Sequence, residues 1–207
     1  MRQYFLIVII LNVWQLDAQT IFPKGAYMTQ NELLERKPGK DFDFVVEKRS
    51  GADISMNGGN NYKLLRSDST MKRKIYFRKM MAYSDGEYLY INGLHTELQK
   101  WYCRVEHEGR FLLMVGGPTA GDASVIAFGG GAVASMVAAH SQILYALDLR
   151  DYELVKINKK ALEEWLETTP ELLADYQQEE FPKEMPVLLK YASLRNQFMP
   201  SDSPIAQ

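Results

Sequence analysis

The chain has 207 residues, with 24 lysines and arginines against 26 aspartates and glutamates, and a formal net charge of −2. A balance this close to neutral gives no bulk electrostatic case for nucleic acid as a partner. Cys103 is the only cysteine, which excludes an intrachain disulfide, and no N-x-S/T glycosylation acceptor occurs.

Residues 1–18 read as a secretory leader. Arg2 supplies the positive start, Phe5 to Leu11 is unbroken apolar sequence, and the chain turns polar at Gln15 and Asp17 before the small Ala18. This pattern predicts cleavage between Ala18 and Gln19. The competing reading is an uncleaved anchor, but Tyr4 to Leu16, interrupted by Asn12 and Gln15, falls short of the about 20 apolar residues a spanning helix needs. No cysteine follows the apolar run, so the lipid-anchored type of export signal is absent. The expected location is the periplasm, cell envelope or extracellular medium.

Beyond the leader, Ile21 to Tyr27 reads as an extended lead-in punctuated by Pro23 and Gly25. Thr29 and Glu32 form a capping box for a short helix that Pro38-Gly39 ends. From Phe42 the apolar period changes to two, which predicts a strand over 42–47. Ser50-Gly51 and then Asn57-Gly58-Gly59-Asn60-Asn61 carry turn chemistry, and the loop from Asp53 to Asn61 reads as a turn. Further strands are predicted at 62–66, 72–81, 87–92, 101–107 and 111–115, with Ser84-Asp85-Gly86 as the clearest hairpin turn. Consecutive hairpins imply an antiparallel sheet with one face buried.

Between Asp122 and Asp148 there is no formally charged residue, and Gly, Ala and Val fill most of the gap. Read as a helix, Ala123, Ala127, Gly131, Ser135 and Ala139 fall every fourth position and form a small-residue stripe suited to close backbone packing. Gly129-Gly130-Gly131 costs such a helix about 1 kcal/mol per glycine relative to alanine. The stripe therefore reads as a packed segment, with membrane insertion or self-association through 123–139 as the alternative. After it, 143–149 and 152–157 form a hairpin around Arg150-Asp151, and Asn158 caps a helix over 159–167. Thr169-Pro170-Glu171 opens another helix. The last helix begins near Pro186, with Leu188, Tyr191, Leu194 and Phe198 at helical spacing. The tail 200–207 is expected to be disordered.

The order of these pieces resembles a family of exported bacterial proteins that has no assigned function. The resemblance runs from about Gly25 to Phe198. It rests on G-A-Y-M-T, R-S-G-A-D-I-S-M-N-G-G-N-N-Y-K-L, S-D-G-E-Y-L-Y-I-N-G, the Gly/Ala-rich segment, L-Y-A-L-D-L, P-E-L-L-A-D-Y and a closing L-L-K-Y helix. It implies a secreted envelope protein of Gram-negative bacteria and carries over no catalytic residues.

Several constellations invite chemistry. His95, Cys103 and His107 are the soft metal ligands, but a fourth is not apparent, and the face of Cys103 also holds Trp101 and Val105, which reads as core. Asp53, Asn57, Asn60 and Asn61 offer oxygens without the alternation and closing Glu of a calcium loop. The triple glycine lacks the Lys-Ser or Lys-Thr of a phosphate loop. Ser124, Ser135 and Ser141 near His140 do not sit in G-x-S-x-G. Lys72, Lys74 and Arg78 form a basic patch that suits anionic headgroups, or else a charged strand face guarding an edge.

The expected protein is α+β: an antiparallel β domain of about seven strands over 19–157, with the Gly/Ala-rich insert at 116–142 and a helical group over 158–199 packed on it. Its expected role is non-enzymatic, by binding or structure, with no cofactor, no metal and no catalytic residue assigned. A membrane-associated or self-associating protein is the second reading and a hydrolase-type enzyme the third.

Overall fold

The computed structural model describes residues 20–66, 75–119 and 142–198; the leader, the 123–139 stripe and the tail lie outside them. The protein is α+β, and the described residues form one antiparallel sheet of nine strands, where about seven were expected. In chain order these are β1 Gly25–Tyr27, β2 Phe44–Lys48, β3 Tyr62–Arg66, β4 Ala82–Ser84, β5 Leu89–Asn92, β6 Tyr102–His107, β7 Phe111–Gly116, β8 Ile143–Asp148 and β9 Leu154–Ile157. The helices are α1 Gln30–Leu34, α2 Gly51–Asn57, α3 Lys159–Leu166, α4 Pro170–Gln177 and α5 Met185–Phe198. The main path of the sheet runs β1-β4-β5-β6-β7-β8-β9, and the β2–β3 hairpin joins it where Tyr62 pairs with Tyr102 of β6.

Alternation along the strands sorts side chains into separate cores. In the first half of the sheet, Ala82, Leu89, Ile91 and Cys103 face a core shared with Phe22, Tyr27 and Leu33. Tyr83, Tyr90 and Tyr102 point to the other face, where they meet Phe44 and Leu64 of the β2–β3 hairpin. In β7 and β8 both faces are buried, against the one-sided burial expected. Leu112, Met114, Tyr145 and Leu147 enter the first core, while Phe111, Leu113, Leu144 and Ala146 meet Leu162, Trp165, Tyr176 and Leu188 of the helices. Burial on two faces is why these strands read as continuous apolar runs.

Three stretches depart from the sequence expectation. Residues 51–57, read as turns, form α2: Ser50 caps it by accepting the Asp53 amide at 3.1 Å, and Asp53 supplies the acid that favours a helix start. The strand predicted over 72–81 is not one in its described part. Ile75–Lys79 is a π-helical turn and pairing begins only at Ala82. In α5, Ala192, Arg195 and Asn196 are buried beside Leu188 and Tyr191, whereas Phe198 is exposed.

The local signals that did hold are the turns and caps. The β4–β5 hairpin turns at Asp85-Gly86, with Gly86 at φ +96° where a side chain would be strained. Thr29 accepts the Glu32 amide at 3.3 Å, and Glu32 reaches back to the Met28 amide, one residue before the position a capping box assigns it.

Candidate functional site

The helices are placed over β7 and β8 by their apolar stripes, and at one end the packing leaves a cleft of about 690 Å³. Its walls are Ile143 and Leu144 from the start of β8, Ile157 from the end of β9, and Met185 and Leu188 from the first turn of α5. Leu144, Ile157 and Leu188 are buried, so the floor is dry side chain, not surface. The volume falls within the about 300–1,000 Å³ range of small-molecule sites.

The rim is basic. Lys156, Lys159, Lys160 and Lys183 line the cleft, against Glu163 alone among carboxylates. Two of these lysines occupy the first turn of α3, which contains no acidic residue. The backbone explains the helix start: Asn158 accepts the Ala161 amide through Oδ1 at 3.0 Å. The charge pattern runs against helix electrostatics, because unsatisfied N–H groups already make an N-terminus positive and favour anions there. Each of the two lysines leans back along the helix, Lys159 to Glu163 at 3.6 Å and Lys160 to Glu164 at 3.4 Å. Such half-exposed pairs are weak, about 0.3–0.5 kcal/mol.

The residues singled out by sequence do not converge on this cleft. The stripe Ala123, Ala127, Gly131, Ser135 and Ala139 lies outside the described residues, as do Lys72 and Lys74. Arg78 is exposed on the π-helical turn, and its carbonyl holds the His95 ring. Among the described residues no three of His, Cys, Asp and Glu are grouped as a metal ion would require. Cys103 is fully buried in the first core, and burial pushes its thiol pKa far up. A register shift between Val105 and His107 breaks the alternation that would have put His107 on the Cys103 face. The His107 ring instead lies 3.2 Å from Gln197, and burial lowers its pKa.

The oxygen-rich loop at 53–61 is also accounted for structurally. Arg49, its side chain fully buried, donates from Nε to Asp53 at 2.7 Å and from Nη1 to the carbonyls of Gly58 and Asn60, both at 2.8 Å. Asn57 donates to the other Asp53 oxygen at 2.7 Å. These hydrogen bonds hold the Asp53 carboxyl at about 2. An acid so engaged clasps α2.

The family model that matches this chain spans residues 25–198, from the first residue of β1 to the last of α5. The chain belongs to DUF6563, a family of unknown function. Nothing among the curated proteins or the solved structures matches it. The DUF6563 match takes in the whole cleft, including the lysine-bearing start of α3. Sequence reading missed the cleft because it gave these lysines no role. The signal present was Asn158-Lys159-Lys160, a capped helix start with bases where acids are usual.

Proposed function

We propose that this chain is an exported protein of Gram-negative bacteria, acting in the periplasm, cell envelope or medium by binding a ligand without transforming it. The observation that carries the binding half is the cleft: apolar walls, a charged rim and, among the described residues, a lining with no cysteine, histidine, serine or carboxylate pair. Orientation of a bound molecule needs only shape and a few polar contacts, which the apolar walls, the lysines and Glu163 supply. The leader pattern at residues 1–18 supports export.

The test is expression with the leader intact, followed by fractionation and mass measurement. A soluble product beginning at Gln19 outside the cytoplasm is the expected result. Retention of Met1 on a cytoplasmic product would refute export. Carbonate-resistant pelleting that is abolished by Gly131→Leu with Ser135→Leu would replace this reading with membrane association through 123–139.

A further inference from the structure

Resting on the reading of the cleft as a ligand site, we propose that it takes a free single-chain anionic amphiphile, of which a fatty-acid anion is the simplest case. The headgroup sits among the lysines and the alkyl chain lies along the apolar wall.

Three features converge on this chemistry. The wall formed by Ile143, Leu144, Ile157 and Leu188 contains no polar side chain, so it rewards burial of hydrocarbon and nothing else. Four lysines and one glutamate line the rim in a chain whose net charge is −2, and the ties of Lys159 to Glu163 and Lys160 to Glu164 are exposed pairs weak enough for a bound anion to displace. At that rim the α3 amides add to the field, which makes the lysine side a place where negative charge is favoured. An apolar wall and a cationic edge within one cleft match a molecule with an alkyl chain and an anionic end.

The same features separate this occupant from its rivals. A bilayer would be gripped by protruding apolar side chains. Of the large apolar side chains exposed among the described residues, Val45, Met56 and Phe198 do not line the cleft. A polysaccharide or inorganic anion would leave the apolar wall unused.

The experiment is isothermal titration of the purified protein, as cells process it, with tetradecanoate below its micellar range. Tetradecanol supplies the chain without the charge, butyrate the charge without the chain, and phosphatidylglycerol vesicles the membrane alternative. Saturable one-to-one binding of tetradecanoate is expected, weakened roughly tenfold by Lys159→Glu with Lys183→Glu and weakened by salt in the unsubstituted protein. Equal binding of tetradecanol would overturn the proposal, as would insensitivity to both the lysine substitutions and salt, binding to vesicles alone, or no binding at all. The salt series uses the unsubstituted chain, so the result stands even where the double variant folds poorly. Export is read by fractionation and ligand class by titration, so either can fail without the other.

Discussion

Asn196 of α5 closes both main-chain groups of Phe111, the first residue of β7: its Oδ1 accepts the Phe111 amide at 2.9 Å and its Nδ2 donates to the Phe111 carbonyl at 2.8 Å. A side-chain amide thus does for this residue what a neighbouring strand would do, in a buried site. Asn196→Ala is expected to cost about 2 to 4 kcal/mol, because it strands a buried donor and acceptor together. Urea unfolding measures it. Gly109 stands close by, and a Cβ there would lie 2.6 Å from Asn196 Nδ2. Gly109→Ala is therefore expected to destabilise the native chain and to do much less harm in the Asn196→Ala background, a coupling that a double-mutant cycle reads directly.

The Arg110–Asp148 pair ties the start of β7 to the end of β8 with two parallel bonds of 2.6 and 2.5 Å, both side chains being almost fully buried. Asp148 also accepts the Arg150 amide at 2.9 Å, which sets the turn into β9. Asp148→Asn is expected to cost about 3–5 kcal/mol, because it leaves a buried guanidinium without its counter-charge. Replacing both partners, Arg110→Met with Asp148→Leu, should cost less than Asp148→Asn alone. Comparison of thermal midpoints for the three variants checks the order.

The Arg49–Asp53 clasp gives a pH signature. Asp53 is held at about 2 in the folded chain, below the usual carboxylate range of about 3.9. A depressed acid stabilises the fold fully above its unfolded value and loses that contribution as pH falls towards its folded value. Asp53→Asn should accordingly lower the urea midpoint relative to the unsubstituted protein at pH 6. The gap between the two should narrow from about pH 4 downward and be nearly gone at pH 2. A gap independent of pH would show that the Asp53 charge contributes nothing.

Cys103 should be silent in the native protein. Its Sγ is enclosed in the first core, and burial raises its pKa, so thiolate and access are both denied. Labelling by a disulfide reagent at pH 8 is expected to be slower than that of the denatured chain by on the order of 10³-fold or more, tracking the unfolded fraction. Fast native labelling would place the thiol at the surface.

What the sequence shows of this fold is what local rules decide. Ser84-Asp85-Gly86, the Asn158 cap and the apolar runs of β7 and β8 were readable because turn chemistry, capping and periodicity each act within a few residues. Helix α2 was hidden by its glycine start and asparagine end, which are turn residues. It is held by Arg49, a contact that only the folded chain creates. Arg195 and Asn196 were not singled out in the sequence, yet Arg195 donates to the Trp165 carbonyl at 3.1 Å and Asn196 to Phe111, so their burial depends on partners far along the chain. The cleft was illegible for the same reason, since β8, β9, α3 and α5 each supply one wall. Its charge anomaly was local, but its meaning depended on the wall behind it.

The pairing of β7 with β8 runs without a shift from Phe111 opposite Asp148 to Gly116 opposite Ile143. Gly116 and Ile143, the residues that bound the uncharged insert, are thus each other's partners in the sheet. Closing a flexible loop costs only about 0.6 kcal/mol for each doubling of its length. A chain in which residues 120–141 are replaced by a short Gly-Ser turn should keep its fold and thermal midpoint to within a few degrees. The register of β7 on β8 would then belong to the strands themselves, read by whether the shortened chain still sets Gly116 opposite Ile143.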